Sequence, residues 1–360
     1  MLAYFHSARP RAVFSAAISV GLLAVSGASL RAAEKVPVNT VLTTISGFNW
    51  PCAITVGHDS RWVYVLNNGN NTVSVVDAAT NQIATTFMNS GKEPVDITVT
   101  SDGRKVFVSD AAYAGNEADS GSVTTIATKT SGTASVNTNG PFPKGVGLTP
   151  DEKYLWIAEE GGADGVVDIM DVTTGTLSPY PIYFANYGYI ADPQYVAFSP
   201  NGKSAYISDN YGGVWVFNAA RTKLEQGIAT GTVVEGMCVS PDGNQLYALS
   251  LGAVSIINTH TRKVTATVSL PVTQYVTQAG NKMALTPDGN YLYVPIEEPS
   301  YEGTGPGSVV MMSTKTASLV GDPIALGDGY HPAVAIAPDG KRGYIINQSD
   351  ATVTVIGITE

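Results

Sequence analysis

Three side chains in this 360-residue sequence have the chemistry for acid–base work: Asp96, Glu235 and His331. A carboxylate or a neutral imidazole can take a proton from water and drive its attack on a carbonyl carbon. Five more polar residues stand at matching places, namely Lys144, Gln194, Tyr195, Asn281 and Lys282. Each of the eight lies a few residues before a turn built on Asp or Asn, so each opens the strand that leads into that turn. Below them those strands read Ala, Val, Ile, Gly and Thr. A polar ring of mixed charge above an apolar channel is a reasonable small-ligand site. The plainer reading is a channel mouth that is polar because it is wet. His331, beside Tyr330 and Pro332, is the histidine placed for general-base work; His58 and His260 fall in turns at the other end of their strands.

A second set follows an aromatic residue at a fixed distance of three: Asp110, Glu159 and Asp209, with Asn67, Ser250, Ile296 and Asn347 at the same place in other segments. Three carboxylates along one arc could hold Ca²⁺, which wants several oxygen ligands, or a cationic ligand. The same side chains could instead cap turns through their own oxygens. The chain has no Cys-x-x-Cys-His for covalent haem, no His-rich metal set and no Gly-x-Ser-x-Gly nucleophile elbow. The sequence names no cofactor.

Those positions are defined by a repeat. Ser240-Pro241-Asp242-Gly243 is a tight turn, and Gln245–Ser250 after it alternates as a strand does. Turns opening on Asp59, Asp102, Asp151, Asn201, Asp288 and Asp339 repeat the phrase, at intervals of 41 to 51 residues. An aromatic residue holds one strand position throughout: Tyr64, Phe107, Trp156, Tyr206, Tyr247, Tyr293 and Tyr344. About four short strands per unit and a period in the mid-forties specify an all-β fold, a seven-bladed β-propeller. The aromatic row reads as packing within and between blades.

The ends of the chain fit together. Asn39–Gly47 is a strand without a hairpin partner, and the seventh unit stops one strand short after Thr352–Ile356. The N-terminal strand is therefore expected to complete the last blade and leave no central edge open. Blades are expected at 48–92, 93–142, 143–191, 192–232, 233–279, 280–329 and 330–360 with 36–47. Long loops at Ala111–Gly121, Glu159–Gly165 and Ile296–Gly307 all fall on the face where the inner strands begin, and the opposite face has short turns. Long loops gathered on one rim of a rigid scaffold are where function usually resides. Tyr180–Tyr189, with five aromatics, could stack on a flat ligand or cover blades 3 and 4.

Residues 1–33 read as a secretory signal peptide: Arg9 and Arg11 precede an uncharged run, and small residues follow. The domain is then 34–360, and losing the leader with its three arginines takes the net charge from −10 to −13. Such acidity argues against nucleic acid as a partner. The expectation is a periplasmic or secreted protein without stable membrane insertion. Cys52 and Cys238 fall at different levels of non-adjacent blades, which disfavours a disulfide.

The phrases Trp62–Asn68 and Asn71–Asp77, followed by Thr80-Asn81-Gln82-Ile83, resemble the YVTN-repeat family of bacterial β-propellers, as do Gly91-Lys92-Glu93-Pro94 and the Ser-Pro-Asp-Gly turn. The likeness covers about residues 36–360. It is similar to exported proteins of the YncE type and, more distantly, to lactonase-type propellers. The resemblance implies Asn as the usual residue at the position of Asp110, Glu159 and Asp209. It also implies binding or assembly roles in some members and catalysis in a few, with no single catalytic signature to carry over. Two functions compete: binding of a small molecule or a periplasmic protein on the loop-rich face, or a lactonase-type hydrolase with Asp96, Glu235 and His331 activating water, with or without a metal. A scaffold subunit of a periplasmic redox complex is a third.

Overall fold

The computed structural model describes residues 36–89, 91–111, 121–160, 165–189, 191–220, 222–271, 282–297, 306–328 and 333–359. They form seven antiparallel sheets. Blade 1 runs Pro51–Val56, Trp62–Asn67, Thr72–Asp77 and Gln82–Met88, each strand paired with the next, and the later blades repeat that meander. The last blade is completed as expected: Val38–Ser46 pairs antiparallel with Thr352–Thr359, from Val38 opposite Thr359 to Ser46 opposite Thr352.

Seven clusters of buried apolar side chains lie at the seven blade interfaces. One joins Ile54 and Val65 of blade 1 to Tyr344 and Val355 of blade 7, and closes the circle. The others join blades 1 and 2, 2 and 3, 3 and 4, 4 and 5, 5 and 6, and 6 and 7. The aromatic residue of every second strand is buried. At about 25 cal/mol per Å² of apolar surface removed from water, these interfaces rather than the turns hold the ring.

The turns fix phase. In five of them a Ser or Thr hydroxyl donates to the turn's Asp or Asn two residues on, as from Thr100 to Asp102 at 2.7 Å and from Thr149 to Asp151 at 2.7 Å. In four of these five, glycine then takes the left-handed position, at φ +66° for Gly103 and +74° for Gly243, and after Asp151 it is Glu152 at +55°. Backbone N–H groups two residues on, that of Arg104 foremost at Asp102, join those hydroxyls in holding the Asp102, Asp151, Asp242 and Asp288 carboxyls below the usual range, so these four acids serve the turns. Asp77, Asp171 and Asn258 cap the short turns after the third strands of blades 1, 3 and 5 by accepting from backbone amides at 2.8 Å.

Blade 3 departs from the pattern. Its outer strand is split into Thr176–Leu177 and Ile182–Tyr183, both paired with Val166–Asp171. Pro179 and Pro181 interrupt it, since proline cannot donate to the ladder. The aromatics that follow cover blades 3 and 4. Phe184 is fully buried and meets Trp215 and Phe217 edge-on, Tyr189 tilts against Trp215, and the Tyr187 hydroxyl donates to the Thr222 carbonyl at 2.9 Å. Tyr180 is exposed.

Both cysteines are free. The Cys52 thiol is buried against the Pro94 carbonyl, and burial first, with Asp96 second, pushes it up to about 12. Burial also raises Cys238. Among the described residues no helix is long and apolar enough to cross a membrane.

Candidate functional site: the axial mouth

The inner strands begin at the loop-rich face with a shared irregularity. Register shifts fall between Pro51 and Ala53, Pro94 and Asp96, Pro143 and Val146, Pro193 and Val196, and Val234 and Gly236. A bulge at that point adds a residue and re-aims its neighbours. In blades 1 to 5 the inner strand thus opens with a residue outside the regular ladder.

Counted back three from the last residue of each inner strand, the ring reads Ala53, Asp96, Gly145, Tyr195, Gly236, Lys282 and Ala333. Three large side chains share one layer with four small ones. Lys282 of blade 6 pairs its ammonium with the Asp96 carboxylate of blade 2 and donates to the Ile97 carbonyl at 3.2 Å. Blades 2 and 6 are not neighbours, so this ion pair crosses the axis. Asp96 also accepts from the backbone N–H of Ile97 at 2.7 Å and of Val146 at 3.0 Å, and its side chain is 3% exposed against 27% for Lys282. Both oxygens of that carboxylate are engaged, by groups from blades 2, 3 and 6. Tyr195 fills the same layer because Gly145 faces it: a Cβ on Gly145 would come 2.7 Å from Tyr195 Cα and 2.8 Å from its ring.

Above this layer Lys144 pairs with Glu160 at 2.6 Å, the two side chains 11% and 27% exposed. Ser109 ties the second blade to the third, accepting from Asp96 N at 3.1 Å and donating to the Lys144 carbonyl at 2.6 Å. Gln194 is nearly buried and donates to the Asp192 carbonyl at 3.2 Å, and Glu235 is half-buried at the start of its strand. Of the eight predicted mouth residues, Lys144, Gln194, Tyr195 and Glu235 open the inner strands of three successive blades, and Asp96 and Lys282 meet on the axis. Asn281 and His331 lie outside the described residues, as do 112–120, 161–164 and 298–305 of the long loops and the leader at 1–33. Glu160 was missed by sequence reasoning, because its meeting with Lys144 depends on the register that sets Pro143 opposite Glu159 and Phe142 opposite Glu160.

The acidic arc has a different geometry. Asp110, Glu159 and Asp209 are each fully buried, and each faces the crossover that enters its own blade. Asn89 donates to Asp110 at 2.5 Å and Thr124 does so at 2.8 Å. Asp209 accepts from Asp192 N at 2.9 Å and from Trp215 Nε1 at 2.8 Å. Asn67 of blade 1 holds Asn49 N in the same way at 3.2 Å, which is the turn-capping use of this position. In blade 3 the task passes to Asp168, which takes Asn139 N at 2.7 Å and Asn139 Nδ2 at 2.6 Å. Among the described residues no three His, Cys, Asp or Glu side chains converge as metal ligands do. Burial pushes Asp110 up to about 7 and raises Asp209.

Glu159 is left over from this exchange of partners. Neither carboxyl oxygen completes a hydrogen bond, although Thr138 and Asp168 stand beside it. Burial, and then the Asp168 charge, hold its carboxyl well above the usual range. A carboxyl raised in the folded state contributes fully below its unfolded value of about 4.3, and that contribution is lost as pH rises toward the folded value. Glu159→Gln keeps the volume and removes the charge. Urea midpoints should therefore nearly coincide at pH 4.5, and the variant should lead by at least about 1 kcal/mol at pH 7.5. A wild type that leads at both pH values would contradict the account.

Comparison with known proteins agrees on architecture. A family model described as Lactonase, 7-bladed beta-propeller, matches residues 16–113. The seven-bladed beta-propeller protein Rv1057 of Mycobacterium tuberculosis is 26% identical over 342 residues, covering 84% of this chain and 80% of the relative. Among solved structures, Kuenenia stuttgartiensis hydrazine synthase superposes with a TM-score of 0.70 at 21% identity, over 87% of this chain and 97% of that one. The Cps50 (Swd1) propeller domain of Myceliophteria thermophila gives 0.70 at 11% identity, over 89% and 100%. At such identities the two structures speak to fold alone. Seven sheets, seven interfacial cores and relatives of the same architecture together make this chain a seven-bladed β-propeller.

Proposed function

We propose that this is an exported propeller of the YncE type that binds a small polar ligand in an axial cup on its loop-rich face. The observation that carries the reading is the Lys282–Asp96 pair, which with Tyr195 gives the channel a floor. A floored channel is a concave site with one opening, the form small-molecule sites usually take. Its wall offers an ammonium and carboxylates from Lys144, Glu160 and Glu235, with the Gln194 amide and the Tyr195 phenol beside them. Such a lining suits a polyol or a sugar acid better than an apolar molecule. Asp96, held by a cation and two amides, serves as floor rather than as a base.

The second reading is the lactonase-type hydrolase, favoured by the family model that matches residues 16–113. In that reading Glu235, of the proposed acid–base set, would stand at the mouth to activate water. Glucono-δ-lactone and gluconate separate the two readings on the mature protein. Binding without turnover is expected, with affinity reduced at least tenfold by Lys144→Ala. Turnover above the uncatalysed rate that Glu235→Gln abolishes would establish the hydrolase instead. No saturable binding of either probe at millimolar concentration would remove sugar acids as the ligand class.

A further inference from the structure

Away from the mouth, on the face of short turns, a cavity of about 530 Å³ opens between blades 1 and 2. Its walls are the rings of Trp62, Tyr64 and Phe87, with Val75 and Ala84 between them, and its rim carries His58, Asp59 and Asp102. The repeat explains why it is here. In five of the seven turns the residue before the turn's Asp or Asn is proline: Pro150, Pro200, Pro241, Pro287 and Pro338. Four of these prolines stand against the turn glycine of the following blade. A Cβ on Gly289 would come 2.9 Å from Pro241, and one on Gly243 would come 3.3 Å from Pro200. Gly202 and Gly340 face Pro150 and Pro287 at 3.7 and 3.5 Å. The proline is a wedge between adjacent blades.

Two turns lack it. In blade 2 Ser101 takes the place, and the Glu152 carboxylate of blade 3 reaches across to its backbone N–H at 2.6 Å. In blade 1 the residue is His58, and the nearest neighbour of a Cβ on Gly103 is the Tyr64 hydroxyl at 3.5 Å. The strand behind adds to the opening. Arg342 and Lys105 begin their second strands and cross to the Ala78 and Val172 carbonyls of the next blade. Trp62 holds that position in blade 1 and lines the cavity instead. Two other ring tyrosines place their hydroxyls on side chains, Tyr247 donating to Gln245 and Tyr293 to Asn39, whereas Tyr64 lines the cavity.

From the missing wedge and the aromatic-lined cavity at that place, we infer a second binding site, for a small aromatic cation. The Trp62 ring, with the largely buried Tyr64 and Phe87 rings behind it, gives a flat apolar body a wall to lie against. The Trp62 ring already accepts a cation from its own chain, with the Arg61 guanidinium 4.6 Å from the centroid, so its π-face suits a positive charge. Of the two rim carboxylates Asp102 is paired with Arg104 at 3.4 Å, so Asp59 carries the rim's negative field; it reaches the cavity, where burial and then that carboxylate raise the Tyr64 phenol. A cation of the same shape would take over the Trp62 face from the Arg61 side chain, which is 62% exposed, and keep the field of Asp59, which an anion would oppose.

The test uses tryptamine, with indole and indole-3-acetate as neutral and anionic isosteres, titrated into the mature protein by calorimetry and by indole-ring NMR transfer. Tryptamine is expected to bind with saturation, indole more weakly, and indole-3-acetate at least tenfold more weakly than tryptamine. His58→Pro restores the wedge that the chain itself uses in five other turns, so the fold should hold with an unchanged or higher Tm. That variant should lose tenfold or more in tryptamine affinity, and Ala84→Phe, which fills the cavity from the outer strand, should do the same. Equal affinity for cation and anion would overturn the proposal, as would unchanged binding in both variants or no saturable tryptamine binding up to 10 mM.

Discussion

Deleting residues 36–47 is expected to leave a chain that no longer closes and that self-associates. The N-terminal strand pairs with Thr352–Thr359 along nearly its full length and covers the outer edge of blade 7. Most of its side chains are exposed, so the loss is mainly of backbone bonds, together with the packing of Ile45 into the first interface. At about 1 kcal/mol net per hydrogen bond, a ladder of this length is worth several kcal/mol. Ordinary domains have only about 5–15 kcal/mol in all. The strand also reaches blade 6, where Asn39 accepts from the Tyr293 hydroxyl at 2.8 Å, so its removal loosens two blades. The bared edge is alternating and uncharged from Thr352 to Thr359, a template for pairing with another chain. Size-exclusion chromatography and thermal unfolding of the shortened protein should show oligomers and a Tm lower by ten degrees or more. A monomer that melts with the parent would refute closure by this strand.

The second large effect is expected at the axis. Lys282→Met leaves the Asp96 carboxylate 3% exposed without its cation. Breaking a buried pair from one side costs about 3–5 kcal/mol, and because Lys282 keeps some contact with solvent we place the loss near the lower figure. Asp96→Asn removes the charge but also one of the two acceptors used by Ile97 N and Val146 N, so it too should destabilise. The double variant separates these contributions. Its loss should be at least about 1 kcal/mol smaller than the sum of the single losses, since the unpaired charge disappears with its partner. Additive losses in urea unfolding would mean that the two side chains do not meet.

Much of this architecture is written in the sequence at the level of local chemistry. A hydroxyl, an Asp and a Gly at fixed offsets specify a turn, and an aromatic residue at constant phase marks the second strand. The unpaired Asn39–Gly47 strand and the unfinished seventh unit point to each other. Local signals fail where a side chain's partner comes from a distant blade. Asp96 reads as an available base until the ring brings Lys282 to it from across the axis. The compensation is visible in hindsight, since Asp96, Tyr195 and Lys282 share their ring position with two glycines and two alanines. The acidic arc fails differently. Three carboxylates at one phase suggest convergence, but a propeller spreads equal phases around a circle; Asp110 and Asp209 hold the crossovers of their own blades, and in blade 3 Asp168 does so in place of Glu159. His58 is legible only against the other six turns, as the place where a proline should stand.

Lysine reactivity reads the axial floor most directly. Brief acetylation of the native protein, followed by peptide mass spectrometry, compares Lys282 with Lys153, whose side chain is 71% exposed. A Lys282 ammonium engaged by Asp96 and the Ile97 carbonyl should react at least tenfold more slowly than Lys153, and Asp96→Asn should bring the two rates together. Lys282 modified as fast as Lys153 in the unaltered protein would mean an open channel, and neither the floor nor the cup above it would stand.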